Sequence, residues 1–339
     1  MAQSGGTPGG TPGGSLGPEK IWPVIALVLV GFVAWNSLKP APDAGKEPTA
    51  AMNVVQDGEV QVAHVNRQDC QRQDGRVWVV IDDGPDCISY VTAGTISASE
   101  PALLFFNGDV PEDKLKEQLQ AGARKQAQGW ADSLNVAHGV PVVVVGRPGL
   151  MGSTGFHLSG GRRDEALVME AAVDALKDKL GLKRLALAGQ SGGARIIAQL
   201  MVMGRRDIGC AAMGSGAYDL PRLQGGGTAR TSIFGDPGKR YMVPMLQTQA
   251  IVADPQRRCW VIGDPRDTIV PFSEQRAWAD KLAALGHHAV LIEAKATDPD
   301  FHGMSAKAGV AAALCAKGRS DGEIRSAVDG TDGAGSSRP

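Results

Sequence analysis

The stretch Leu185-Ala-Leu-Ala-Gly-Gln-Ser-Gly-Gly-Ala-Arg-Ile-Ile-Ala-Gln-Leu200 constrains this chain more than any other. A short apolar run leads into Gly189-Gln190-Ser191-Gly192-Gly193, and an amphipathic segment follows with Ile196, Ile197, Leu200 and Met201 at helical spacing. The pattern reads as strand, sharp turn and helix, with a serine at the tip. Such a turn needs glycine on both sides, because a side chain two residues from the serine would collide where strand and helix cross. A hydroxyl held there is exposed at the carboxyl end of a sheet, and the first N–H of the helix points where an oxyanion would form. The five-residue pattern is weak alone: the chain holds 45 glycines, and Gly13-Gly14-Ser15-Leu16-Gly17 matches it inside a tail that cannot form a strand. The bland alternative for Ser191 is a glycine-rich turn before a helix, and its partners must decide.

Composition narrows the field. With 43% apolar and 21% charged residues and a formal net charge of -1, the chain is neither disordered overall nor built to bind a polyanion, so no nucleic-acid partner is expected. Five cysteines form no C-x-x-C pair and no His/Cys spacing suited to zinc, so no metal is expected. No Gly-x-Gly-x-x-Gly turn follows the first parallel strand, which argues against a dinucleotide oxidoreductase, and no cofactor is expected. Cys210 and Cys259 sit in apolar runs and read as buried small hydrophobes. Cys70 and Cys87 flank a strand at 76–81 and could be bridged in an oxidising compartment.

Along the chain, residues 1–20 read as a disordered Gly/Pro-rich tail. Ile21 to Leu38 carries no charge, lies between Lys20 and Lys39, and has Trp22 and Trp35 near its ends, which reads as one transmembrane helix and hence a membrane-associated protein. A signal peptide cleaved near Ala41-Pro-Asp-Ala44 is the competing reading. Lys20 balances Lys39 and Lys46, so charge leaves the direction open. The short, structureless tail favours an uncleaved export signal, with the domain on the outer, periplasmic or extracytoplasmic face. Residues 39–52 read as a linker. Alternating residues from Val60 to Val91 suggest antiparallel strands leading into a sheet. Thereafter short apolar runs at 103–106, 140–145, 185–188, 208–213, 260–262 and 290–292 alternate with helical segments at 112–137, 164–180, 192–203 and 273–285. That alternation predicts an α/β domain over 53–317, with a mostly parallel eight-stranded sheet and helices on both faces. Residues 218–257 lose the rhythm and suggest a small cap insertion. Residues 318–339 read as a disordered tail.

In such a sheet, chemistry collects in the loops after strands. His302 follows the last strand and precedes a helix; His157, after the 140–145 run, is the second choice. His64, His138, His287 and His288 lie within or before strands. For an acid, the loop after 260–262 offers Asp267, favoured, and Asp264. A carboxylate there could fix the histidine tautomer and stabilise the imidazolium formed when histidine takes the serine proton. An oxyanion site needs two backbone donors. Gly192 supplies one and Asp109, in Asn107-Gly108-Asp109, the other, with Gly108 and Gln190 as substrate-contacting positions. The Asp109 carboxylate would repel an oxyanion unless it points away or is paired.

This ordered set resembles the α/β-hydrolase fold: Asn107-Gly108-Asp109 after the third strand, Arg147-Pro-Gly-Leu-Met-Gly-Ser153 after the fourth, Gly189-x-Ser191-x-Gly193 after the fifth, Asp267 after the seventh and His302 after the eighth. The resemblance covers roughly residues 76–317, and the order nucleophile, acid, histidine is that fold's. It implies a Ser191, His302, Asp267 triad that hydrolyses a small-molecule or peptide ester, amide or thioester through an acyl-enzyme. Asn107 where a histidine often stands, and Asp267 one residue farther from Gly263 than the commonest spacing, depart from the pattern. A membrane-tethered, non-catalytic binding domain of the same fold is the alternative.

Overall fold

The computed structural model describes residues 47–56, 59–111, 114–115, 122–156, 163–219 and 242–333. The strands are β1 (Thr49–Gln56), β2 (Glu59–Asn66), β3 (Arg76–Ile81), β4 (Gly84–Ala93), β5 (Ala102–Phe106), β6 (Val142–Val145), β7 (Leu185–Gln190), β8 (Ile208–Gly214), β9 (Arg258–Gly263) and β10 (His288–Glu293). The helices are α1 (Arg67–Arg72), α2 (Gly122–His138), α3 (Arg163–Leu180), α4 (Gly192–Val202), α5 (Phe272–Ala284), α6 (Ser305–Ala316) and α7 (Asp321–Asp329).

Eight strands form one sheet in the order β10-β9-β8-β7-β5-β6-β4-β3. Strands β5 to β10 are parallel, while β4 runs antiparallel to both β3 and β6. The chain leaves β5 for β6 on one side and then crosses to β7 on the other. The loops after β5 and β7 therefore diverge at a switch point, where an open α/β sheet has its crevice. Every residue of β5, β6 and β7 is buried, which is why these strands read as continuous apolar runs rather than alternations. One face carries Leu104, Phe106, Val143, Val145 and Leu187 under α3, α4 and α5. The other carries Leu103, Phe105, Val142, Val144 and Trp260 under α2, α6 and α7.

Four expectations change. The antiparallel lead-in divides: β3 and β4 join the main sheet, whereas β1 and β2 form a separate two-stranded sheet. Strand β1 pairs along its full length with β2, accepts a hydrogen bond at the Ala51 carbonyl from the Gly155 N–H, and so begins inside the stretch read as linker. The tail expected from residue 318 instead forms α7, whose Ser320 and Glu323 complete a reciprocal capping box. Ile324 and Val328, four apart, are buried against the domain, and Lys307 donates to the Val328 carbonyl at 2.9 Å, so two apolar side chains and a cap dock a helix that composition alone would leave unfolded. Cys210 is no mere small hydrophobe: it is bridged to Cys315 and fastens α6 to β8, while Cys70 is bridged to Cys87 and Cys259 is a buried thiol.

Among the described residues no helix is long and apolar enough to cross a membrane, and residues 1–20, the 21–38 span, most of the linker and residues 334–339 lie outside them. Of the 218–257 stretch, residues 220–241 also lie outside. Its remainder forms two single-turn 3-10 helices, Pro244–Leu246 and Thr248–Ala250, with Tyr218, Met242, Val243 and Ile251 buried and Tyr218 stacked on Trp278 at 4.8 Å.

Candidate active site

Ser191 joins β7 to α4 with φ 55° and ψ -117°, a backbone conformation that costs a residue with a side chain roughly 1–3 kcal/mol. It is held there because its N–H donates to the Gly214 carbonyl (2.8 Å) and its carbonyl accepts from the Arg195 N–H (3.0 Å). A β-carbon on Gly193 would land on the Phe106 carbonyl, and one on Gly189 would lie 2.6 Å from the Gly193 carbonyl carbon. The strand–helix crossing is thus closed to any side chain. Ser153, in the loop after β6, is buried and its hydroxyl accepts from the Ser89 N–H at 3.0 Å.

His302 lies in the loop between β10 and α6, directly after Phe301, itself at φ 55°. Asp298 shapes this loop, accepting from the His302 N–H (3.1 Å) on one oxygen and the Gly303 N–H (2.7 Å) on the other. The ring Nδ1 is 2.8 Å from Asp267 Oδ2. The other Asp267 oxygen accepts from the Ile269 and Val270 N–H groups, both at 2.9 Å, which leaves Oδ2 facing the imidazole. His302 and Asp267 are 6% and 9% exposed, so their bond lies largely out of water.

Asp264 is placed differently. Its oxygens accept from the Arg266 side chain (2.9 and 2.6 Å), the Arg266 N–H (2.9 Å) and the Ala296 N–H (2.8 Å). Burial alone would raise its pKa, but these bonds prevail and hold the carboxyl below its ordinary range. It builds the turn that presents Asp267. His287 bonds the Asp254 carbonyl and His288 pairs with Asp321, both at the start of β10, while His157 lies outside the described residues.

The loop after β5 flanks the serine from the other side. A β-carbon on Gly108 would stand 3.3 Å from Ser191 Cβ, and one on Gly192 would run into the Asp109 carboxylate. That carboxylate is paired. Arg147 Nη2 donates to Asp109 Oδ1 at 2.7 Å, and Arg195 Nη2 donates to its two oxygens at 3.0 and 3.1 Å. Arg147 also donates through Nε and Nη2 to Glu165 Oε1 (2.9 and 2.6 Å) and through Nη1 to the Asn107 carbonyl (3.1 Å). Both arginines are fully buried, and burial by itself would favour the neutral form of Arg147. Beside Arg147 the carboxylates of Glu165 and Asp109 more than offset that and raise its pKa. Two guanidinium groups and two carboxylates thus balance beside Ser191, and the repulsion that Asp109 threatens is countered.

Gln190 does not line an open site. It is 4% exposed, its Nε2 donates to the His302 carbonyl at 3.0 Å, and its Oε1 accepts from the Ser305 hydroxyl. Sequence reading missed this bridge and the Arg147, Arg195 and Glu165 network. Arg195 left a signal: a charged residue between Ala194 and Ile196 on a helix buried all round demands a partner. Among the described residues, no group of three or more His, Cys, Asp or Glu side chains is placed to hold a metal ion.

No family model matches the chain, and no curated protein matches its sequence. Solved structures do match in shape. An esterase of Pyrococcus furiosus, Pf2001, is 16% identical over 75% of this chain and 95% of its own, with a TM-score of 0.50. A putative hydrolase from Agrobacterium vitis S4 is 13% identical over 76% and 97%, with a TM-score of 0.46. A hydrolase from Pseudomonas aeruginosa PA01 is 16% identical over 73% and 100%, with a TM-score of 0.45. The strand order and the Pyrococcus likeness together show the α/β-hydrolase fold.

Proposed function

We propose that the chain is a serine hydrolase that cleaves a carboxylic ester, amide or thioester of a small-molecule or peptide substrate, with Ser191 as nucleophile, His302 as base and Asp267 as the orienting acid. The observation that carries the reading is the 2.8 Å bond between His302 Nδ1 and an Asp267 carboxylate whose other oxygen is fixed by two backbone donors. Opposite that acceptor, Nδ1 carries the proton and Nε2 keeps a lone pair for the serine hydroxyl. As Ser191 Oγ bonds to the substrate carbonyl carbon, its proton passes to Nε2 and the carbonyl electron pair moves onto oxygen. The N–H groups of Gly192 and Asp109 are the donors for that oxyanion. Gly192 opens α4, and the first N–H groups of a helix have no partner within it. Collapse expels the leaving group, which takes the proton from His302, and water repeats the sequence on the acyl-enzyme. The esterase activity named for the Pyrococcus structure that shares the fold supports an ester first.

Turnover of p-nitrophenyl acetate tests the assignment of roles. His302→Ala should reduce it by several orders of magnitude. Wild-type turnover by that variant would remove His302 from the role of base, and no turnover by any form would favour a non-catalytic binding domain of the fold.

The same reading keeps the 21–38 span as a membrane anchor with the hydrolase domain on the extracytoplasmic side. The Cys70–Cys87 and Cys210–Cys315 pairs support an oxidising surrounding. Protein taken from membranes and unfolded without reductant should alkylate at one thiol, Cys259. Alkylation at all five would place the domain in a reducing compartment.

A further inference from the structure

We propose that Gln190 is a positioning residue, a strap that fixes the loop bearing His302 against the turn bearing Ser191; the proposal rests on the serine-hydrolase reading above. Gln190 immediately precedes Ser191, yet its side chain serves the histidine. Its Nε2 donates to the His302 carbonyl at 3.0 Å, and its Oε1 receives the hydroxyl of Ser305, the first residue of α6. His302 is thereby gripped at three places: the N–H by Asp298, the ring by Asp267 and the carbonyl by Gln190. Asp298 and Asp267 belong to the loops after β10 and β9, on the histidine's own side of the site. Gln190 is the member of this set that comes from the serine turn itself.

The chemistry asks for such a link. Proton transfer from Ser191 to His302 requires a separation near hydrogen-bond length, and a misplacement of about 1 Å costs on the order of a hundredfold in rate. Ser191 is rigid against the sheet, because its N–H is tied to β8 and its flanking glycines are locked at the crossing. The His302 loop leaves β10, three strands away from β7 in the sheet, so the sheet alone does not set its distance from the serine. An amide can serve both ends at once, donating to a carbonyl and accepting from a hydroxyl. Because Gln190 is buried, losing either bond leaves a polar group without water to replace its partner.

The test is steady-state turnover of p-nitrophenyl acetate by the full chain, with competent sites counted by fluorophosphonate titration. Gln190→Met keeps the side chain's length and removes both hydrogen bonds. Its kcat per titrated site should fall about tenfold to a hundredfold while KM stays within about twofold. Ser305→Ala should fall by less, and the double variant should be no worse than Gln190→Met, because both act through one strap. A merely structural role would lower the number of titrated sites and leave kcat per site unchanged, and that result overturns the proposal. Should Gln190→Met fail to fold, Ser305→Ala decides by the same criterion. A wild type that takes up no fluorophosphonate at Ser191 rejects the serine-hydrolase reading and the strap with it, whereas normal wild-type titration with unchanged kcat per site in the variants rejects the strap alone.

Discussion

Two loops flank Ser191, and they are held by different physics. On the proposed oxyanion side, Asn107 to Asp109 is clamped by two buried guanidinium groups and the carboxylate of Glu165. On the histidine side, Asp298 to Gly303 is held by the Asp298 carboxylate accepting from two of the loop's own N–H groups, by the Gln190 amide and by Arg266 stacked on Phe301 at 4.0 Å. In the proposed mechanism the imidazole changes charge at each proton transfer, and a second carboxylate against the ring, beside Asp267, would bias that step. The proposed oxyanion side only has to stay still, so a balanced set of fixed charges suits it. The difference implies a division of labour. Damage to the oxyanion clamp should appear first as lost stability, and damage on the histidine side first as lost rate.

The sharpest test of that division is Asp267→Asn, which keeps shape and removes charge. Turnover of p-nitrophenyl acetate should fall about ten-thousandfold, through the wrong imidazole tautomer, with a near-normal urea midpoint. Next in size is Arg147→Met, which strands Glu165 and half of the Asp109 pairing in the interior. Equilibrium urea unfolding should show a loss of about 3–5 kcal/mol. A fully stable Arg147→Met protein with impaired chemistry would reverse the comparison. Smallest is Asp264→Asn, on the histidine side but outside the proton path, which should cost about 2 kcal/mol at pH 7. Because the folded Asp264 carboxyl titrates below its ordinary value of 3.8, its contribution is complete above that value and is lost as pH falls through the lower folded value. The stability gap between wild type and variant should therefore close in acid. A gap that does not narrow in acid would show that the Asp264 charge is not what holds the turn, and a rate loss larger than that of Asp267→Asn would show that the two aspartates have exchanged roles.

What could be read from the chain, and what could not, follows from the range of the interactions. The serine turn was legible because its constraints are local: Gly189 and Gly193 lie within two residues of Ser191, and the strand and helix on either side carry their own periodicity. The order of Asp267 and His302 followed from the strand count. The helix α7 was equally local, and its Ser320-x-x-Glu323 signature with Ile324 and Val328 went unread only because the surrounding composition is polar. The Cys210–Cys315 bridge spans 105 residues, and nothing in either sequence neighbourhood points to the other. The same holds for the quartet that neutralises Asp109. Its members come from the loops after β5 and β6 and from α3 and α4, so the pairing exists only once the sheet brings them together.

The proposed mechanism has Ser191 as its nucleophile. A fluorophosphonate probe incubated with the full chain, followed by intact-mass measurement and peptide mapping, should add one phosphonyl group, located on Ser191, and Ser191→Ala should remain unlabelled. Labelling of Ser191→Ala at the wild-type rate, or a wild type that takes up no probe while folded, would contradict it.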